Sequence, residues 1–311
     1  NFDSQRDIYN NQREIVVHRS FQDQAPQGTL LALSLVAIST AGQNVGIEFD
    51  VQISSDGTPV VFHDLSVDDL TDGSGVVTEM TLAQLKALQF TEVIGTAFEG
   101  VGGVTIPTLD EYIRFISQYG FKAYPEIKSY RTEADIEILD AVISKYRYKN
   151  ATTWQSFRVS DLQKLREYNQ QSNVAWATET GYTQTILDSL AAVGNVSIIQ
   201  SVNSWINNPS DIDVFNSYGF DCIPFTADRI ETYYDLTDLG MQKVITDRNF
   251  LPNAGLTSIT SPCRFNLNPW TEIKTGASTV TYLANPENSQ TVGEIVECEG
   301  AAGEDCRVRL P

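Results

Sequence analysis

This 311-residue chain predicts an α/β fold built around a parallel sheet, and three observations carry that prediction. Eight short apolar runs recur at 15–18, 46–51, 123–127, 153–157, 174–178, 197–202, 221–226 and 243–247, with the length and composition of buried strands. Amphipathic stretches of helical length fall between each consecutive pair, at 29–39, 109–119, 133–146, 160–169, 183–193, 210–218 and 230–239. Strict alternation of the two favours parallel strands, since a parallel pair needs a crossover of a dozen residues or more.

The second strand carries the most information. Val45, Ile47, Phe49, Val51 and Ile53 alternate with Gly46, Glu48, Asp50 and Gln52, so Glu48 and Asp50 leave the strand on one side. The run stops at Ser55-Asp56-Gly57-Thr58, and the Asp-Gly pair signals a hairpin, so the next strand, 59–63, returns antiparallel outside the main alternation. A two-residue Asp56-Gly57 loop would set His63 opposite Asp50, with Cβ atoms about 4.5 to 5.5 Å apart.

Residues 65–107 interrupt the strand and helix pattern with Asp68, Asp69, Asp72, Gly73, Gly75, a short helix from Thr81 to Leu88 and a glycine-rich stretch at 95–103. An insertion of this length predicts a lid or small satellite over the site, with a solvated acidic excursion as the alternative. The helix at 109–119 ends at Gly120, as a C-cap would, and the strand after it carries Glu126 and Lys128 on one face. Beyond residue 252 the helical periodicity is lost, and short alternating runs at 278–283 and 294–298 predict a small β-rich appendage. The expected organisation is a lead-in at 1–14, a main domain at 15–252 with its insertion at 65–107, and the appendage at 253–311.

The chain has only two histidines, His18 and His63, each beside a charged residue, Arg19 and Asp64. Imidazole titrates nearest neutrality, so histidines set against carboxylates point to acid/base chemistry, the alternative being two buried, merely hydrogen-bonded rings. Glu48, Asp50 and Glu126 form an oxygen-only set that suits a hard cation, Ca2+ or Mg2+, better than zinc. Glu126 with Lys128 also reads as a plain ion pair.

An ordered set of runs carries a resemblance: His18-Arg19-Ser20, Ala25-Pro26, Thr29, Glu48-Phe49-Asp50-Val51, Asp56-Gly57, Val60-Val61-Phe62-His63-Asp64, Ile106-Pro107-Thr108-Leu109-Asp110-Glu111 and Glu126-Ile127-Lys128. Together they resemble the glycerophosphodiester phosphodiesterase family, and Gln155-Ser156-Phe157 and Val244-Ile245-Thr246-Asp247 carry the likeness to about residue 252. The resemblance implies a (β/α)8 TIM barrel with its site at the C-terminal ends of the strands. It implies that Glu48, Asp50 and Glu126 hold one divalent cation, that His18 and His63 act as base and acid, and that Arg19 and Lys128 bind phosphate oxygens. In the family the insertion roofs the site and shapes a glycerol pocket. The chain departs from the family pattern at Ser20, where glycine is usual, and at Gln27 and Gly28, where an acidic residue and Asn are usual.

The activity so implied is metal-assisted hydrolysis of a glycerol-type phosphodiester, small or polymeric, such as a teichoic acid or capsule. Phospholipase C and sphingomyelin-cleaving phospholipase D share a similar site, and the Ile106-Pro107-Thr108-Leu109 run favours the glycerophosphodiesterase branch. A binding module that keeps the barrel without the chemistry is a further class. Met scarcity, acidity and the Thr- and Asn-rich tail also resemble domains of phage tail proteins, which would imply a homo-oligomer, a trimer in that case.

The formal charge of −19 argues against nucleic acid and anionic membranes as partners, and no stretch approaches the roughly 20 apolar residues of a membrane span. That charge also repels a phosphodiester unless a cation reverses it locally. Of four cysteines, Cys222 reads as a buried apolar residue, Cys298 and Cys306 could close a disulfide, and Cys263 would then be unpaired. A start at Asn1, without Met or signal segment, predicts a processed product or a piece of a longer chain, and a secreted or virion-associated location.

Overall fold

A computed structural model describes residues 14–21, 25–40, 44–93, 104–179 and 181–248, together with 263–264, 272–275 and 305–307. Eight parallel strands form a nearly closed barrel: β1 (Glu14–His18), β2 (Val45–Ile53), β4 (Lys122–Ile127), β5 (Thr153–Ser156), β6 (Asn173–Thr178), β7 (Val196–Ser201), β8 (Asp221–Phe225) and β9 (Lys243–Thr246). The hydrogen-bonded order runs β8-β7-β6-β5-β4-β2-β1-β9. β8 and β9 face each other across the seam, where Ala227 N–H donates to Ile245 O at 2.9 Å and Lys243 pairs with Asp221 at 2.6 Å. The short β3 (Pro59–Val61) pairs antiparallel with β2 outside this ring.

Helices α1 (Leu30–Ser39), α3 (Leu109–Tyr119), α4 (Asp135–Lys145), α5 (Val159–Tyr168), α6 (Gln184–Val193), α7 (Val202–Asn207), α8 (Ser210–Ser217) and α9 (Ile230–Asp238) surround the strands, and α2 (Leu82–Ala87) lies in the insertion. The sequence expectations match these elements to within two residues at each end, and the turn of helix at α7 is additional. α3 shows why a boundary falls where it does. Thr108 and Glu111 close a reciprocal capping box at its start, and Gly120 ends it in the left-handed conformation.

All nine residues of β2 are buried. Val45, Ile47, Phe49 and Val51 pack into the large core beneath the helices, so the polar alternate face looks into the barrel and not into solvent. A separate apolar layer of Val16, Tyr124, Ala175, Ile199, Ile223 and Ile245 fills the barrel centre. Gly46 is required there, because a Cβ would lie 2.6 Å from the Tyr124 ring.

The hairpin differs from expectation by one residue. Val51 pairs with Val61 and Ile53 with Pro59, so Ser55, Asp56 and Gly57 form a three-residue loop in which Gly57 takes φ 87°. Asp50 O therefore accepts from Phe62 N–H, and His63 falls one position past the predicted register. The cause lies in Ser54 and Asp56: Ser54 Oγ binds Asp56 and the Thr58 backbone, while Asp56 accepts from Leu82 N–H at the start of α2.

The insertion has its own apolar cluster, with Val67, Val77, Leu85, Phe90, Val104 and Ile106 packed on Leu31, Val60 and Phe62. Its acids tie loops: Asp68 accepts from Gly75 N–H and Asp72 from Gln89 N–H. Three short strands, β10 (Cys263–Arg264), β11 (Glu272–Thr275) and β12 (Asp305–Arg307), pair antiparallel in the C-terminal region. The runs predicted at 278–283 and 294–298, the glycine-rich 95–103, and Cys298 with its partnership to Cys306 lie outside the described residues. Cys222 is buried, and burial pushes its thiol up to about 12. Among the described residues no helix is long and apolar enough to cross a membrane.

One charge far from the barrel mouth secures the connections at the bottom. Arg166 of α5, buried, donates to the backbone carbonyls of Asn169, Ser172, Val193 and Gly194 at 2.5–3.2 Å. Arg166→Met should lower the unfolding free energy by about 2 to 4 kcal/mol, because each buried acceptor left unpaired costs about 1 to 3. Urea titration measures the loss, and activity per folded molecule should be unchanged.

Candidate active site

The residues predicted to carry chemistry meet at the C-terminal mouth of the barrel. Asp50 on β2 and Glu126 on β4 are register partners on adjacent parallel strands, and Glu48 precedes Asp50 by two positions on the same face. All three are buried, and one oxygen from each lies within 4.8 Å of the others. Two cations and an amide line the group. Lys128 Nζ is 2.9 Å from Glu126 and 3.3 Å from Asp50, Arg19 Nε is 3.5 Å from Asp50, and Gln155 donates to Glu48 at 2.9 Å.

Burial and the mutual repulsion of the carboxylates leave their mark on titration. Glu48 is held well above the usual carboxylate range, first by desolvation and then by Asp50 and Glu126. Glu126 is pushed up to about 7, again by burial and then by Asp50. Burial works to lower the Lys128 ammonium, but Asp50 and Glu126 outweigh it and hold its pKa above the ordinary value. Each effect marks a centre that favours added positive charge.

Both histidines carry a carboxylate behind the ring. His18 Nδ1 is 2.6 Å from Asp247 and its Nε2 is 3.7 Å from Glu48. His63 Nδ1 is 2.5 Å from Asp64. Pairing at Nδ1 fixes each ring and leaves Nε2 for proton transfer. Burial first, then Arg19 and Lys128, hold the His63 pKa below the usual imidazole value against the opposing pull of Asp50 and Asp64. A small cleft lined by Arg19, Gln27, Gly28, Asp50 and His63 opens beside the acids, so the one-residue shift in the hairpin does not take His63 away from Asp50.

Arg19 reaches the site through an unusual turn. In a continued strand it would point away from the face His18 occupies. Instead Arg19, Ser20 and Phe21 take φ of 46°, 63° and 58°, and Phe21 N–H donates back to His18 O at 3.1 Å. Left-handed conformations cost non-glycine residues about 1 to 2 kcal/mol each. The turn is held by the buried Phe21 ring, by the Arg19 N–H on Glu48 O at 3.0 Å, and by Ser20 Oγ against Tyr112 OH at 2.6 Å.

The seven residues singled out from sequence therefore stand around one centre. Asp247, Gln155, Asp64, Gln27 and Tyr112 were not assigned roles from sequence. Asp247 and Gln155 stand at the mouth ends of β9 and β5, a position that itself signals function in this architecture.

Three buried carboxylates set against one another fit a hard divalent cation: the donors match its chemistry, and its charge would relieve their repulsion.

A family model for glycerophosphoryl diester phosphodiesterases matches residues 18–249. The glycerophosphodiester phosphodiesterase of Caldanaerobacter subterraneus subsp. tengcongensis is 27% identical over 237 residues, covering 75% of this chain and 93% of that protein. Among solved structures, an Oleispira antarctica phosphodiesterase in complex with the product sn-glycerol-3-phosphate superposes with a TM-score of 0.65 at 24% identity, covering 79% of this chain and 96% of the other. A glycerophosphodiester phosphodiesterase from Agrobacterium tumefaciens superposes with a TM-score of 0.61 at 22% identity, covering 78% and 99%. Since the family match starts at His18 and runs through the last barrel strand, the chain belongs to the glycerophosphoryl diester phosphodiesterase family and is a phosphoric diester hydrolase.

Proposed function

We propose that this hydrolase acts on a glycerol-type phosphodiester with one divalent cation, Ca2+ or Mg2+, held by Glu48, Asp50 and Glu126. The observation that supports it best is the buried acidic triad, faced by Arg19 and Lys128 and approached by two carboxylate-backed imidazoles. When bound, such an ion stabilises charge on the phosphate and acidifies a neighbouring hydroxyl. Three carboxylates against two cationic side chains leave the centre net negative, and a divalent ion turns it positive, which is the sign a phosphodiester anion requires.

The side chains divide the remaining work. Arg19 and Lys128 orient the non-bridging oxygens. His18, fixed by Asp247, takes the proton from the attacking hydroxyl, either water or the substrate's own neighbouring hydroxyl. His63, fixed by Asp64, returns a proton to the departing alkoxide.

Hydrolysis of glycerophosphocholine and of poly(glycerol phosphate), each with and without chelator, tests the activity and separates a small substrate from a cell-surface polymer. Full activity under chelation, or in Asp50→Asn, would remove the metal from the reading. His18→Ala and His63→Ala should each lose at least about a hundredfold in turnover. The two are told apart by leaving group. With a 4-nitrophenyl ester, whose phenolate departs unprotonated, His63→Ala should recover most of its loss and His18→Ala should not. Asp247→Asn should cost about 10- to 100-fold with an unchanged melting temperature, because the His18 ring loses the partner that fixes it.

A further inference from the structure

The turn after β1 is made of residues that resist its shape, and a hydrogen bond remote from the reacting atoms holds it. Ser20, the middle residue, has φ 63° and is fully buried; glycine adopts that conformation freely, whereas a residue with a Cβ is strained in it. Its hydroxyl lies 2.6 Å from the phenol oxygen of Tyr112 on α3. Tyr112 is fully buried as well, with its ring 4.7 Å from that of Phe49, the residue between Glu48 and Asp50. Neither hydroxyl has solvent as an alternative partner, so each depends on the other.

The consequence falls on Arg19. Its side chain is only loosely gripped: NH1 donates to the neutral Gln27 at 3.0 Å, Nε is buried without a hydrogen-bond partner, and the approach to Asp50 is 3.5 Å. With so little holding the guanidinium from outside, the backbone turn aims it. We propose that the Ser20–Tyr112 hydrogen bond is a strut that sets the position of Arg19 for the phosphate group, which makes Tyr112 a positioning residue for the reaction. This rests on the reading of Arg19 as a phosphate ligand.

Steady-state kinetics with glycerophosphocholine, and competitive inhibition by inorganic phosphate, test it on the full chain. Tyr112→Phe and Ser20→Ala should each raise KM and the phosphate inhibition constant about tenfold, the size of one lost hydrogen bond, with a smaller change in kcat. Ser20→Gly removes the hydroxyl but also the strain of a Cβ at that φ, so it should lose less than Ser20→Ala, and Tyr112→Phe placed in that background should add less than about twofold, since the strut is already gone. An equal penalty for Tyr112→Phe in both backgrounds overturns the proposal, as does a lowered melting temperature with no movement of the inhibition constant. Ser20→Ala carries the test if Tyr112→Phe fails to fold. Arg19→Ala separates the two levels: an unchanged phosphate constant discards the role of Arg19, while a raised constant beside a neutral Tyr112→Phe discards the strut alone.

Discussion

Three carboxylates forced within 4.8 Å of one another in a buried barrel mouth set the terms for everything around them. The sheet imposes this, because Asp50 and Glu126 are register partners on β2 and β4 and Glu48 shares their face. Two like charges about 4 Å apart repel by about 4 kcal/mol even at an effective dielectric near 20, so the arrangement works against folding unless positive charge answers it. Lys128, Arg19 and the Gln155 amide are the protein's own answer, and Glu48 and Glu126 still titrate above the usual carboxylate range, through burial first and then through Asp50. It is this excess of buried negative charge that the proposed cation would answer.

Read from bottom to top, the inward-facing positions of the barrel change character with height. At the bottom, Glu14 accepts from Lys122 and Tyr124 at 2.6 and 2.7 Å, and Lys243 pairs with Asp221. The middle is apolar, from Val16 and Tyr124 round to Ile223 and Ile245. At the top stand His18, Glu48, Asp50, Glu126 and Asp247. Charges at the bottom are paired within the protein, while those at the top carry an excess of one sign.

Most of this was legible in the sequence, and the parts that were not share a cause. Periodicity located all eight barrel strands because their apolar faces must meet the helices, and the alternation in 45–53 placed Glu48 and Asp50 together for the same reason. The hairpin register was missed because it turns on Ser54 and Asp56 side chains binding backbone groups, an interaction that carries no period. The left-handed turn at Arg19, Ser20 and Phe21 was equally hidden, since none of the three is a residue that announces positive φ. Asp247 lies 229 positions from the His18 it orients, and no local pattern can join them.

That separation has a structural meaning. His18 closes the first strand of the barrel and Asp247 follows the last, and β1 and β9 are hydrogen-bonded neighbours, with Val17 opposite Thr246. The contact therefore exists only once the final strand has docked against the first. Glu48, Asp50, Glu126 and Lys128 need only β2 and β4, whereas the carboxylate behind His18 needs β9 as well. Placing His18 on β1 and Asp247 just after β9 makes their contact depend on the pairing of the first and last strands, a long-range condition that no local contact within the barrel replaces.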